Sequence, residues 1–254
     1  MNRERNVLIL LAGGRGKRME SSVPKQFMEL CGKPLIWYSL AAVQRSDLID
    51  DCILVSSAED ISAIRALVDR YGFDKVSAIV CGGEERYLSV IKGVNAVMER
   101  SGECETCAGT PGVILVHDGA RPFIDDEIIK NCLEGVDETG GCVAAVPSKD
   151  TVKLAGSDMI VTQEPPRKNV WCMQTPQVFK SVILFEACKA AEDALGRSSG
   201  ETSVEITDDA QMVKLFTDTE IKLVMGSYEN IKVTTPVDMI IAEKILEEKS
   251  GHIS

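Results

Sequence analysis

The sequence predicts an α/β protein: a Rossmann-like, mostly parallel sheet with helices on both faces and a protruding β-hairpin arm. Three observations predict it. Apolar runs of strand length alternate with helical patterns from Val7 to Val146, the order that βαβ units produce. A glycine-rich turn, Gly13-Gly14-Arg15-Gly16, follows the first run directly, at the carboxyl end of a strand, where such sheets bind ligands. After Pro147 the alternation stops, and two short strand-like runs flank Gly156-Ser157-Asp158, a composition typical of a hairpin turn.

The elements follow in order. Val7–Leu11 has the length and composition of a buried parallel strand. A helix is expected near Leu35–Gln44, a strand at Cys52–Ser56 and a helix near Ile61–Tyr71. Val76–Val80 reads as a strand, and the helix near Leu88–Arg100 places Val90, Ile91, Val94, Val97 and Met98 on one face. Val113–Val116, a helix near Glu127–Glu138 and Cys142–Val146 complete the alternation. The hairpin arms are Thr151–Leu154 and Met159–Thr162. A two-stranded ribbon is marginal alone, so it is expected to lie against a partner surface, with a second copy of the chain as the candidate. Residues 170–179 read as extended, Val182–Ala194 as helical and Gly196–Thr202 as a flexible surface loop. Lys222–Met225 reads as a strand, and a helix runs from about Pro236 to Glu247 with the proline in its first turn. No repeat, low-complexity tract or dividing linker is present, so residues 1–254 read as one domain with an arm at about 148–168.

A chain of 254 residues can bury a sizeable core. Its formal net charge of −11 excludes a nucleic-acid-coating surface, which requires a basic stripe. No apolar run approaches the roughly 20 residues needed to span a bilayer. Met1–Asn6 leads into a strand without signal-peptide architecture, so a cytoplasmic protein is expected, with neither nucleic acid nor membrane as partner. Among nine cysteines, Cys52, Cys81, Cys132, Cys142, Cys172 and Cys188 sit in apolar sequence and read as core thiols. Cys104-Glu105-Thr106-Cys107 has no second pair to complete a zinc set and reads as a surface loop.

The positive charge is local. Arg15, Lys17, Arg18 and Lys25 surround the glycine turn, whose backbone N–H groups form a concave anion site; together they suit a triphosphate. Gly16-Lys17 is followed by Arg18 rather than Ser or Thr, which departs from the P-loop, and Met19 stands where a dinucleotide fingerprint needs its third glycine. Further polar clusters follow strands. Gly82 and Gly83 leave room for a flat base, with Ser89 and backbone groups to read its edge. Asp118 follows the fourth strand beside Gly119, well placed to hold Mg²⁺ against phosphate oxygens, and Arg121 is either its ion-pair partner or a substrate clamp.

The order of these motifs resembles the 2-C-methyl-D-erythritol 4-phosphate cytidylyltransferase family. It runs from Ala12-Gly13-Gly14-Arg15-Gly16-Lys17-Arg18-Met19 through Pro24-Lys25-Gln26, Gly82-Gly83 with Arg86 and Ser89, and His117-Asp118 with Ala120-Arg121-Pro122. It continues through Asp150-Thr151-Val152-Lys153, Arg167 with Trp171, Thr175-Pro176-Gln177, Thr207-Asp208 and Asn230-Ile231-Lys232-Val233-Thr234, almost the whole chain in unbroken order. The resemblance implies transfer of CMP from CTP to a polyol phosphate, with release of pyrophosphate and a divalent cation, Mg²⁺ or another, as cofactor. It implies catalytic roles for Arg18 and Lys25 on the transferring phosphate and for Arg167 and Lys232 on the acceptor phosphate. Ala12, Gly13, Gly14, Gly16, Gly82, Gly83 and Ser89 are implied in CTP binding. Asp118 matches a metal and substrate contact, and Arg121, Thr151, Thr175 and Thr207 match substrate contacts. The hairpin arm is implied to cross to the neighbouring subunit of a homodimer, carrying Thr151 and Arg167 to the partner's site. Gly13 and Gly119 stand where alanine is commoner, and Asp209 where glutamate is usual. The competing readings are a ribitol 5-phosphate cytidylyltransferase and, more remotely, a non-catalytic CTP-binding regulator.

Overall fold

The computed structural model describes residues 4–14, 19, 23–103, 110–197 and 206–251. Val7 to Leu10 are wholly buried in β1 (Asn6–Leu11), as a run without polar alternation requires when both sheet faces are covered. β2 (Glu29–Leu30) and β3 (Lys33–Pro34) form a small hairpin ahead of α1 (Leu35–Arg45). The alternation continues with β4 (Asp51–Ser56), α2 (Ile61–Tyr71), β5 (Val76–Cys81), α3 (Arg86–Glu103), β6 (Val113–Asp118), α4 (Asp126–Thr139) and β7 (Gly141–Pro147). The arm is β8 (Leu154–Ala155) and β9 (Val161–Gln163); then come β10 (Trp171–Lys180), α5 (Ser181–Arg197), α6 (Asp209–Phe216), β11 (Ile221–Met225) and α7 (Pro236–Gly251).

Seven described strands form the main sheet in the order β11-β7-β10-β6-β1-β4-β5. β10 runs antiparallel to both neighbours, and the other neighbouring pairs are parallel. The reversal follows from the arm. After β7 the chain turns back through β8, β9 and a 3-10 turn at Arg167–Asn169, and re-enters the sheet from its carboxyl end. Side-chain alternation divides the core. Leu8 and Leu10 pack on one face with Ile36 and Leu40 of α1 and Ile128 of α4. Val7 and Ile9 pack on the other with Val90 and Val94 of α3, Leu184 of α5 and Met212 of α6. A third cluster joins Leu30, Leu35, Phe123, Val233 and Ala242 of α7.

The structure departs from the sequence reading in several places. α6 and the β2–β3 hairpin are additional; the hairpin turns through Cys31 (φ 46°) and Gly32 (φ 78°), and two-residue strands are too short for periodicity to register. The arm's paired segments are shorter than expected, because Thr151–Lys153 lie outside the strand and the turn extends to Ile160, whose carbonyl accepts the Gly156 N–H at 2.9 Å. Gly196 lies inside α5 rather than in a loop, and the rest of that expected loop, like Cys104 and Cys107, falls outside the described residues. Cys81 and Cys172 are exposed, not core thiols. Among the described residues no helix is long and apolar enough to cross a membrane.

Candidate active site

The parallel register brings the site together. Leu11 of β1 lies opposite Val55 of β4 and Asp118 of β6, and Ser56 opposite Cys81 of β5. The segments that leave these ends, 12–14, 82–85 and 119–121, therefore share the carboxyl edge of the sheet. They line a pocket of about 260 Å³ with Gly14, Lys25, Gly83, Arg86, Asp118 and Lys232 on its walls.

The first loop is fixed at its base by the Ala12 N–H donating to the Val55 carbonyl at 2.7 Å. Glycine lets Lys25 lie close to the loop: a Cβ on Gly14 would stand 3.2 Å from Lys25 Cε and push that side chain outward. Lys25 opens a 3-10 turn anchored by buried Gln26, whose Nε2 donates to Asp60 at 2.8 Å; Asp60 also accepts the Ser57 hydroxyl at 2.7 Å. Across the pocket the Gly82 N–H donates to the Ser56 carbonyl at 2.7 Å, and Lys92 donates to the Gly82 carbonyl at 2.9 Å. The Gly83 N–H donates to the Ser89 hydroxyl at 3.0 Å, so Ser89 holds the loop that frames the pocket.

Asp118 is the electrostatic centre. Of the described basic side chains, Lys232 Nζ stands 2.8 Å from its Oδ2, Arg121 Nε 3.9 Å from the same oxygen, and Arg86 Nε 3.4 Å from Oδ1. Burial alone would raise its pKa; Arg86, Lys232 and Arg121 outweigh burial and hold it well below the usual carboxylate range. Arg86 also places Nη1 and Nη2 on the two oxygens of wholly buried Asp209, at 2.6 and 2.9 Å. Burial disfavours the charged guanidinium, but Asp209 and then Asp118 more than offset it, so the Arg86 pKa is raised.

A buried relay supports this cluster from below. The Asp118 N–H donates to Thr175 Oγ1 at 3.1 Å, and Thr175 Oγ1 lies 2.9 Å from His117 Nδ1. His117 Nε2 lies 3.1 Å from the Arg121 carbonyl. A carbonyl only accepts, so Nε2 carries the proton and Nδ1 accepts the Thr175 hydroxyl; the relay fixes a neutral tautomer. Burial takes the imidazole pKa down to about 4. Arg121 Nη1 donates to the Asn230 carbonyl at 2.7 Å, and Asn230 Nδ2 donates to the Thr175 carbonyl at 2.8 Å. Asn230 thus ties the segment bearing Lys232 to the one beneath Asp118.

The structure brings Ala12, Gly13, Gly14, Lys25, Gly82, Gly83, Ser89, Asp118, Arg121 and Lys232 to one edge. Thr175 sits under it, its hydroxyl already engaged. Three expected residues lie elsewhere. Thr151 and Arg167 are exposed on the arm, where Arg167 Nε donates to the Ser148 carbonyl at 3.3 Å; Thr207 pairs with Gln211 Oε1 at 2.8 Å. Gly16 and Arg18 fall outside the described residues. Sequence reasoning gave no role to His117, Arg86, Asp209 or Asn230. The signals available were the place of Arg86, His117 and Asn230 inside the motifs that carry the resemblance, and the departure at Asp209.

The sequence model of the 2-C-methyl-D-erythritol 4-phosphate cytidylyltransferase family matches residues 6–248. A 2-C-methyl-D-erythritol 4-phosphate cytidylyltransferase of Lachnospira eligens is 42% identical over 238 residues, covering 93% of this chain and 97% of its own. One from Lachnoclostridium phytofermentans is 43% identical over 251 residues, covering 98% and 100%. Among solved structures, 4-diphosphocytidyl-2C-methyl-D-erythritol synthase from Anaerococcus prevotii matches with a TM-score of 0.78 at 30% identity, covering 96% of each chain.

The buried relay predicts an acid-sensitive fold. The unfolded chain takes up a proton at His117 near pH 6.5, whereas the folded chain does so only near 4. Stability is therefore lost as pH falls through that window, by at most about 3 kcal/mol, since each pKa unit is worth about 1.4 kcal/mol. Denaturant unfolding between pH 7 and 4 should show this slope and show it reduced in His117→Gln, whose amide can still donate to Arg121. Equal slopes in the two proteins would assign the sensitivity to other groups.

Proposed function

The chain belongs to the 2-C-methyl-D-erythritol 4-phosphate cytidylyltransferase family, and from that premise we propose how its residues carry out the reaction. It is a nucleotidyltransferase of isoprenoid biosynthesis, moving the cytidylyl group of CTP to 2-C-methyl-D-erythritol 4-phosphate. An oxygen of the acceptor phosphate bonds to the α-phosphorus of CTP, the bond from that phosphorus to the β-phosphate oxygen breaks, and pyrophosphate leaves. The attacking group is already an anion, so no general base is needed. The barrier lies in anion–anion repulsion and in charge that develops at the transferring phosphate.

The observation that carries this reading is the distribution of cations in one pocket. Lys25 stands beside the glycine loop, and Arg86, Arg121 and Lys232 surround Asp118. Lys25, together with Arg18, steadies charge on the transferring phosphate. Lys232 is partly exposed at the pocket wall and holds the acceptor phosphate in line. Gly13 and Gly14 offer backbone N–H groups to the triphosphate, Ala12 anchors the base of that loop and lines the pocket, Gly16 is assigned to the same role on the family resemblance, and Gly82, Gly83 and Ser89 frame the base. Asp118 and Arg121 contact substrate and Thr175 supports Asp118 from beneath; Thr207 lies outside the pocket lining, and its substrate contact rests on the family resemblance alone. Holding both substrates in line supplies much of the remaining acceleration.

A divalent cation suits this site. Asp118 is a carboxylate kept ionised by its neighbours, and it would face a cation once Lys232, now 2.8 Å from Oδ2, turned to substrate phosphate. One carboxylate plus substrate phosphates is how Mg²⁺ is commonly held. When bound there, it would offset phosphate charge.

The arm completes the reading as a homodimer of single nucleotidyltransferase domains. Met159 and Ile160 at its tip are 82% and 65% exposed, an apolar surface on a ribbon too short to stand alone. A second subunit that covers this tip would receive Thr151 and Arg167, with Arg167 serving its acceptor phosphate. A cytoplasmic setting accords with the free thiols of the seven described cysteines.

Pyrophosphate release from CTP and Mg²⁺ should require methylerythritol 4-phosphate and not proceed with ribitol 5-phosphate; the reverse preference would overturn the acceptor. Lys25→Ala should lower turnover on the order of 10²-fold or more while leaving the melting temperature in place. Near-parental turnover would remove Lys25 from its role. Met159→Asp with Ile160→Asp should give a monomer by sedimentation and lose most activity. A fully active monomer would refute the shared site.

A further inference from the structure

Asp209 is wholly buried at the start of α6, where both its oxygens receive the Arg86 fork at 2.6 and 2.9 Å. Such a bidentate pair fixes the guanidinium plane and hence the direction of the three N–H bonds it leaves, the one at Nε among them. That N–H, at Nε, reaches Asp118 Oδ1 at 3.4 Å, while Lys232 holds Oδ2 at 2.8 Å. The two oxygens of Asp118 are thereby held by different partners. Asp209 is itself rigidly placed. Asp208 caps α6 through the Gln211 N–H at 2.8 Å and accepts Gln177 Nε2 at 3.2 Å. Gln177 Oε1 in turn accepts the Ala210 N–H at 2.9 Å. Hydrogen bonds from β10 therefore fix the residues on either side of Asp209, and Asp209 in turn holds Arg86 against Asp118.

Anchoring α6 does not call for an ion pair here. Burying one carries a desolvation cost, and a well-packed apolar pair of similar volume is often as stable. An apolar pair, however, aims no N–H at Asp118. We propose that Asp209 and Arg86 are a positioning pair for the transfer reaction. Asp209 keeps the Arg86 fork from closing on Asp118 and at the same time directs Nε toward Oδ1, so that Asp118 holds one orientation with an edge open to substrate. Without Asp209, the guanidinium turns both Nη groups onto Asp118 and withdraws that carboxylate from its ligands. The inference rests on the assignment of Asp118 to substrate.

The test compares Asp209→Asn, Asp209→Glu, Arg86→Lys and the double variant R86Q/D209N with the parent and with Asp118→Asn. Each is assayed for pyrophosphate release, with activity normalised to the folded fraction, and melted separately. The expected result is a loss of about tenfold or more in kcat for Asp209→Asn and Arg86→Lys, with KM for CTP within about threefold. Asp209→Glu, which remakes the fork, should restore most of the rate. The double variant keeps a neutral hydrogen-bonding pair in case Asp209→Asn does not fold, and it too should be slow. Parental kcat in the folded double variant or in Arg86→Lys would overturn the proposal and leave the pair a structural role. Parental kcat in Asp118→Asn would instead place the error in the assignment of Asp118.

Discussion

The register of β1 against β6, with Leu11 opposite Asp118, is the constraint on which the rest of the site depends. It sets the glycine loop and the carboxylate at one height on the sheet edge. The parallel pairing of β4 with β1 and β5 then delivers the 82–85 loop to the opposite wall. Side chains in these strands alternate between faces, so a slip of one residue would drive Val7 and Ile9 into the wrong core and move Asp118 out of the pocket. Core packing and site geometry are therefore one constraint: the two apolar clusters that hold β1 also fix the distance from Gly14 to Asp118.

The charge at that edge is arranged before any ligand arrives. The chain is strongly acidic overall at −11, yet Arg86, Arg121 and Lys232 converge on Asp118 with Lys25 nearby. Mutual repulsion would spread such cations apart without a central anion. Asp118 supplies that anion, and Asp209 balances the excess through Arg86. The result is a set of cationic donors held in place around one carboxylate, with Glu84 and Glu85 on the opposite wall, the kind of preorganised electrostatics that phosphoryl transfer requires. The neutral His117 relay contributes by fixing the Asp118 N–H and the Arg121 carbonyl without adding charge.

Much of this was legible in the sequence, because it is encoded locally. α2 occupies Ile61–Tyr71, the span its periodicity marks. β1, β4, β5, β6 and β7 were readable as apolar runs bounded by loops, and the glycine loop as residues that must leave space. The direction of β10 was not readable, since it is set by how the arm returns the chain rather than by residues 171–180 themselves. Asp209 and Arg86 are separated by 123 positions, and no local pattern couples them. Asp209 had registered only as a shortened side chain where glutamate is usual. His117 was passed over because a wholly buried imidazole serving two backbone groups leaves no sequence signature.

In the dimer we propose, the arm would add to the charge that one chain brings to the reaction. Two anions must be brought together, and the described pocket already commits Arg86 to Asp209 and the Nη groups of Arg121 to the carbonyls of Asn230 and Met173. Lys232 is paired with Asp118 at 2.8 Å, and with Lys25 it would have to serve both a triphosphate and an acceptor phosphate. Arg167, exposed at the base of the arm where it donates to the Ser148 carbonyl, is the group that a second chain would add in the proposed dimer. A planar guanidinium there can grip the acceptor phosphate with two N–H groups, freeing Lys232 to follow charge as the new bond forms. In that proposed dimer association and catalysis would be coupled, since the arm whose apolar tip would meet a second chain also bears Arg167.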